Sequence, residues 1–151
     1  MADSEDPRAL QHIQSLPSWL TGRVAARGRE LVARALAEEG LRLSQHAVLA
    51  AVAEHGPLAQ AEVVRRLDID AKDVVGLINE LQDKGLVQRR PDPRDRRKNA
   101  VSATPAGLTC LRRCSALADE ANQQLLAPLS VTERELLMTL LARLHRGDQD
   151  Q

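Results

Sequence analysis

Long helical patterns of apolar residues occupy both ends of the chain. Near the start, apolar residues recur at spacings of three, four and seven, which predicts an amphipathic helix over residues 17–39. Near the end, Thr104 followed by Pro105 is a typical helix start, and this helix is predicted to run to about residue 127. Ser130 and Glu133 have the spacing of a capping box, which predicts a last helix that ends at about residue 146.

Shorter elements are predicted for the middle of the chain. Asp70 is a suitable N-cap for the third of three short helices, and Gly85 lies where a left-handed residue is favoured after that helix. A polar loop over 91–97 then joins two short strands, so the element order is α-α-α-α-β-β-α-α. The three helices cover 45–55, 60–67 and 71–84, and the strands cover about 86–90 and 98–103.

This order predicts a mainly α fold, a winged helix-turn-helix with long N- and C-terminal dimerisation helices. A winged domain of about 60 residues cannot cover the apolar faces of all the terminal helices, so we expect a homodimer. The predicted parts are a flexible tail over 1–10, an N-terminal dimerisation helix over 11–40, the DNA-binding winged helix-turn-helix over 41–103, C-terminal dimerisation helices over 104–147 and a tail over 148–151.

The composition narrows the class of ligand. Hydrophobic residues make up 43% of the chain, which is enough for a core, but it has no Phe, no Tyr and a single Trp. Proteins that hold single-stranded nucleic acid or RNA usually stack bases on aromatic rings. The formal net charge is zero, so any contact with nucleic acid must come from locally segregated charge. The composition therefore favours duplex DNA among nucleic acids.

Positive charge is concentrated in the predicted hairpin. Between Arg89 and Lys98, six cations stand against two carboxylates, a local charge of +4, so the rest of the chain carries −4. A solvated basic loop is the plain alternative, but an arginine-rich hairpin tip beside a helix-turn-helix suits phosphate or minor-groove binding. The helix over 71–84 has the right size for a major groove. The predicted DNA contacts are Arg94, Arg96, Arg97, Lys98, Lys72, Asp73 and Gln60.

Three short motifs follow one another at the hairpin: Gly85-Leu86-Val87-x-Arg89, Asp92-Pro93-Arg94-Asp95-Arg96-Arg97 and Thr104-Pro105-Ala106-Gly107. Together they resemble the MarR family (multiple antibiotic resistance regulators), and the flanking helices fit from about 12 to 147. The resemblance implies an obligate homodimer, with each helix over 71–84 in a major groove and each hairpin in the minor groove. It also implies repression from a pseudo-palindromic site, which is released when a small, often phenolic, effector changes the spacing of the two recognition helices.

The predicted recognition helix departs from that family's pattern. Asp73 follows two other acids near its start, and Gly76 stands where the family commonly has a basic residue. Asp73 either accepts a hydrogen bond from a cytosine amino group or weakens the contact with phosphate. We therefore expect the hairpin to supply most of the affinity. An alternative function is a protein-interaction module that kept the winged scaffold and lost DNA binding.

Two further sets of residues are candidates for the control of DNA binding. Trp19, Arg23 and His46 are candidates to line the family's effector pocket; the alternative places Trp19 in the dimer core and His46 on the surface. Cys110 and Cys114 lie four residues apart on one helix face. Buried, inert thiols are the default interpretation, and a redox-sensing regulator on the same fold is the second alternative function.

Enzymatic, metal-binding and membrane functions are not predicted. The sequence has no nucleophile elbow, phosphate-binding loop or HExxH motif, its remaining histidines lack metal-ligand spacing, and no cofactor is expected. No apolar run approaches the roughly 20 residues that cross a bilayer. The acidic start lacks the features of a signal peptide, so we expect a cytoplasmic protein.

Overall fold

The computed structural model describes residues 8–147, and the predicted tail segments over 1–7 and 148–151 lie outside the described residues. The described part is mainly helical, with seven helices and one two-stranded antiparallel sheet, which confirms the predicted fold class. The elements are α1 Ala9–Ser15, α2 Pro17–Ala37, α3 Leu43–His55, α4 Gln60–Leu67, α5 Ala71–Asp83, β1 Val87–Asp92, β2 Asp95–Ala103, α6 Pro105–Leu125 and α7 Val131–Gly147.

Helix α1 was not predicted. Ala9 and Leu10 were assigned to the tail, but they form its first turn, and α1 ends just before Pro17 begins α2. A helix of seven residues has too few turns to show a clear apolar period, and none of its residues is buried. The predicted order therefore lacked one helix at its start.

The core lies where α3, α4, α5 and the hairpin meet, and the end of α2 is seated on it. Helix α5 contributes one continuous face, because its apolar residues recur at the helical spacing. A short bridge ties the hairpin to the segment before α4: the Leu58 amide donates to the Val101 carbonyl over 2.9 Å, and the reverse bond is 2.7 Å. The buried residues of this core are Leu36, Leu41, Val48, Leu49, Val52, Leu58, Val63, Val74, Leu77, Ile78, Leu81, Val87, Val101, Cys110 and Cys114.

Several predicted helix ends are confirmed by their hydrogen bonds. Asp70 caps α5, and its Oδ1 accepts from the Lys72 amide over 2.9 Å. Gly85 follows α5 with a φ of +74°, in the left-handed region that favours glycine. Thr104 caps α6, where its Oγ1 accepts from the Gly107 amide over 3.0 Å. These side-chain contacts fix where the recognition helix and the long helix α6 begin.

The predicted polar loop over 91–97 is wrong for most of its length. Strand β1 continues to Asp92 and β2 begins at Asp95, so only Pro93 and Arg94 form the turn. We call this hairpin of β1 and β2 the wing. The residues of its outer half are exposed apart from the polar Asp92, so it has no alternation of apolar and polar residues from which strands are predicted. A register shift between Pro91 and Asp92 also interrupts the regular pairing.

The terminal helices leave a large apolar surface uncovered. Helices α2 and α6 pack along each other, whereas α7 buries none of its residues. We call the exposed apolar residues of α1, α2 and α7 the terminal face. It consists of Leu10, Ile13, Leu20, Val24, Val131, Leu136, Met138, Leu140, Leu141 and Leu144, each 40% exposed or more.

Candidate DNA interface

Helix α5, the predicted recognition helix, exposes polar side chains in its first turn and Val75 and Gly76 in its middle. Its buried face is opposite the residues at positions 72, 76 and 79, which are all exposed. Among the residues that the structure describes, the exposed side chains of Lys72 and Asp73 have no hydrogen-bonding or ionic partner. Both are therefore available to a ligand that approaches the first turn of α5.

Arg89 of β1 ties the wing to the helix-turn-helix. Its Nη2 donates to Asn79 Oδ1 over 2.7 Å and to Gln60 Oε1 over 3.2 Å, and its Nη1 donates to the Gln82 side chain. Gln60, a predicted DNA contact, thus has its side-chain oxygen engaged within the protein. The sequence showed Arg89 only as part of a motif, because its partners lie on two other helices.

Arg94 at the turn of the wing is held by two carboxylates. Its Nη2 donates to Glu62 Oε1 of α4 over 2.8 Å, and its Nε lies 3.4 Å from Asp92 Oδ1. The same Asp92 oxygen accepts from the Arg94 amide over 2.9 Å. This backbone hydrogen bond, followed by the bond from the guanidinium, holds the pKa of Asp92 below its usual value. In the structure Arg94 anchors the tip of the wing to α4, and its predicted contact with DNA stays a prediction.

Four other cations of the wing stay exposed. We call Arg90, Arg96, Arg97 and Lys98 the wing cations, and within residues 8–147 their side chains form no ion pair or hydrogen bond. Three of them were predicted as DNA contacts, and Arg90 was missed because the sequence alone assigned it no role beyond the charge count. The wing cations thus form a cationic surface on the wing, and none of them forms an ion pair with a carboxylate of the described chain.

An apolar cavity of about 480 Å³ lies among the terminal helices α2, α6 and α7 and reaches Leu43 at the start of α3. Most of its lining is aliphatic, and its polar members are Thr21, Arg29 and Asn122. The remaining lining residues come from α2, α3, α6 and α7: Leu20, Val24, Ala25, Gly28, Val32, Leu43, Leu125, Leu137 and Leu141.

The three predicted effector contacts do not line this cavity. The Arg23 guanidinium lies 5.7 Å from the centroid of the Trp19 ring, so these two residues contact each other on α2. His46 is half-buried on α3, its Nε2 is buried without a hydrogen-bond partner, and burial lowers its pKa. Their role in effector binding stays a prediction.

The two cysteines are buried neighbours on α6. The Sγ atoms of Cys110 and Cys114 are 4.0 Å apart. Burial, followed by the proximity of Cys110, raises the pKa of Cys114 to about 12. Residues four apart in a helix have Cβ atoms about 5–6 Å apart, whereas a disulfide needs roughly 3.5–4.5 Å. The geometry therefore disfavours a disulfide between them, both side chains are buried, and the raised pKa keeps the thiol of Cys114 protonated.

We expect neither thiol to react with Ellman's reagent at pH 7.5 while the protein is folded, because both side chains are buried and the raised pKa of Cys114 disfavours the reactive thiolate. In 6 M guanidinium chloride both should react, which gives two equivalents per chain and controls for prior oxidation. Rapid reaction of one equivalent in the folded protein would instead support the redox-sensing alternative.

None of the helices in the described part of the chain is long and apolar enough to cross a membrane.

Comparison with known proteins places the arrangement in a family. The model of the MarR family matches residues 39–98, which hold the helix-turn-helix and most of the wing. A protein of Thauera aromatica, named as a transcriptional regulatory protein for the hcr operon, is 32% identical over 129 residues, 85% of this chain and 77% of that protein. The crystal structure of a protein from Pseudomonas aeruginosa, described as a transcriptional regulator, is 37% identical with a TM-score of 0.75 and covers 87% of this chain and 98% of that one.

A second solved structure is that of BpsR from Bordetella bronchiseptica, whose DNA binding is regulated by 6-hydroxynicotinic acid. It is 27% identical with a TM-score of 0.75, and the match covers 89% of this chain and 96% of that one. The motifs, the winged fold and these relatives agree. The chain belongs to the MarR family of transcription regulators.

Proposed function

We propose that the protein is a homodimeric repressor that binds a pseudo-palindromic site in duplex DNA. In this proposal α5 of each subunit lies in a major groove, with Lys72 and Asp73 near base edges or phosphates, and each wing reaches the adjacent minor groove. The observation that carries the proposal is the set of wing cations, which are exposed and form no ion pair or hydrogen bond in the described chain. Binding of such a cationic surface to DNA phosphates is favourable because it releases counterions from the DNA.

The terminal face supports the dimer. Apolar side chains of α7 such as Leu136, Leu140 and Leu144 are 58%, 42% and 70% exposed in one chain, and burial against a second copy would remove them from water. A twofold axis through the terminal helices would place two copies of α5 about one turn of DNA apart. Repression then follows sterically, because a dimer across two major grooves blocks access to that DNA.

The apolar cavity supports release by a small effector. It lies between α2, α6 and α7 and reaches Leu43 of α3, so a ligand there would contact both the terminal helices and the DNA-binding part. Arg29 is the charged residue of its lining and suits the carboxylate of an aromatic acid. In BpsR, DNA binding is regulated by an acid of this type. We propose that occupancy biases the dimer toward a spacing of α5 that does not fit DNA. The protein would act in the cytoplasm, where bacterial DNA is found.

A salt titration of duplex binding tests the proposal, with Arg96→Ala as the informative variant. Affinity should fall steeply as salt rises, because bound phosphates release counterions. Arg96→Ala should weaken binding to all sequences and flatten the log–log slope by about one unit for each wing that loses its contact. Fluorescence anisotropy with labelled genomic fragments measures both quantities.

Arg146→Ala is the matched control, since it removes an exposed arginine from the far end of α7 and leaves the wing intact. Its salt slope should equal that of the unmodified protein. Absence of duplex binding even at low salt would refute DNA binding and favour the protein-interaction module, the alternative that Asp73 and Gly76 motivate.

A further inference from the structure

We infer that α5 recognises its target through the methyl groups of thymine, with Val75 as the specificity-determining residue. The inference rests on the proposed DNA-binding function and deepens it, because it names the base that the middle of the helix reads. Two observations carry it: which side chains of α5 are exposed, and which of its polar side chains already bind partners within the protein.

Val75 is an apolar residue on the solvent side of α5. Its side chain is 39% exposed, whereas the neighbouring Val74 is completely buried in the core. The next residue, Gly76, has no heavy atom within 4 Å of the position that a Cβ would occupy. The middle of the helix therefore offers a branched aliphatic side chain next to a bare stretch of backbone.

The polar side chains at positions 79, 80 and 82 of α5 are engaged within the protein, and Asp83 is the last residue of the helix. Asn79 Oδ1 accepts from Arg89 over 2.7 Å, and Glu80 Oε2 accepts from Gln45 Nε2 over 2.8 Å. Gln82 also accepts from Arg89. A bidentate contact with adenine requires the oxygen and the nitrogen of an amide side chain to face the base together, and the bonds from Arg89 hold the amides of Asn79 and Gln82 toward the wing instead. Before the last residue of α5, Lys72 and Asp73 are therefore the polar side chains without a partner in the described chain.

The surface that remains matches one feature of the major groove. Thymine is the base that presents a methyl group there, and aliphatic side chains contact it. The absence of a side chain at Gly76 lets the helix backbone approach the DNA closely, which brings the Val75 methyl groups toward the base edges. Burial of one thymine methyl corresponds to about a fourfold gain in affinity.

Removal of that methyl group from the DNA is the direct test. The probe is a 30-bp duplex obtained by selection from a random-sequence pool, resynthesised with uracil in place of each thymine in turn. We expect one symmetry-related position per half-site at which uracil weakens binding about fourfold, and about 15-fold when both are replaced. Thymines elsewhere in the same duplex serve as controls and should be insensitive. Val75→Ala should bind the thymine and uracil duplexes equally.

The outcomes separate this inference from the proposed function. If no uracil weakens binding while affinity still falls steeply with salt, thymine reading is wrong and DNA binding stands. If Val75→Ala keeps the sensitivity to thymine, another residue reads the methyl and the role of Val75 is refuted. If no duplex is selected at all, both proposals fail. Val75 is partly exposed and alanine favours helix, so circular dichroism should show a folded variant.

Discussion

Replacement of both Leu140 and Leu144 by glutamate is expected to give a monomer that binds duplex DNA at least about 100-fold more weakly. The two side chains are 42% and 70% exposed in the single chain and belong to the terminal face. In the proposed dimer they would be buried, and unpaired carboxylates in such an interface are strongly unfavourable. Loss of the dimer lowers DNA affinity because the second half-site is then no longer bound intramolecularly, an effect of roughly 10²–10⁴. Sedimentation velocity and anisotropy measure the two results.

The exposure of these leucines also makes the test specific to assembly. Since neither residue is buried in its own chain, glutamate there removes little packing from the winged domain, and far-UV circular dichroism should stay close to that of the unmodified protein. The matched control is Thr139→Glu with Arg146→Gln, which changes the net charge by the same amount on the polar side of α7. That control should remain dimeric. A dimeric Leu140→Glu/Leu144→Glu variant with normal affinity would refute the terminal face as the dimer interface.

Local patterns in the sequence were sufficient to predict the helices that position the candidate DNA interface. The period of Val74, Leu77, Ile78 and Leu81 predicted the buried face of α5, and all four are buried in the structure. Asp70 and Thr104 marked helix starts because a short polar side chain can accept from an amide two or three residues later. Such contacts depend on neighbouring residues, so they can be read from a single sequence.

Contacts between distant residues explain what the sequence could not show. Arg94 and its partner Glu62 are 32 positions apart, and Arg89 is 29 positions from Gln60. A count of charge treats all six arginines and lysines between positions 89 and 98 alike. The structure divides them into two that hold the wing against α4 and α5 and four that stay exposed.

This division changes what each substitution in the wing should test. Loss of a wing cation such as Arg96 would remove a proposed contact with phosphate and leave the fold unchanged, because its side chain forms no ion pair or hydrogen bond in the described chain. Loss of Arg94 instead leaves the buried carboxylate of Asp92 without its cation and frees the tip from α4. The same loss of DNA affinity would thus arise from charge in one case and from disorder in the other.

Gly107→Ala is expected to destabilise the folded protein by about 3 kcal/mol. Gly107 lies in the first turn of α6, where a Cβ would come within 2.0 Å of the carbonyl oxygen of Leu86. That carbonyl cannot easily move, because it accepts from the Thr104 amide over 3.0 Å, and the Thr104 hydroxyl in turn donates to the Gly85 carbonyl over 2.6 Å. The added methyl group must therefore push α6 away from Leu86, which disrupts the packing between the terminal helices and the winged domain.

Thermal unfolding at one fixed protein concentration measures the effect, and a decrease of about 10 °C in Tm is expected. Gly76→Ala is the matched control: it is the same chemical change within a helix, at a position with open space, and it should raise the free energy of unfolding by up to about 1 kcal/mol. Opposite shifts for the two variants would show that the close approach at Leu86, and not the loss of glycine as such, determines the result. If Gly107→Ala and the unmodified protein had the same Tm, α6 and the wing would not be packed this tightly in solution. An effector bound among the terminal helices would then have to act on the DNA-binding part through α2 and α3.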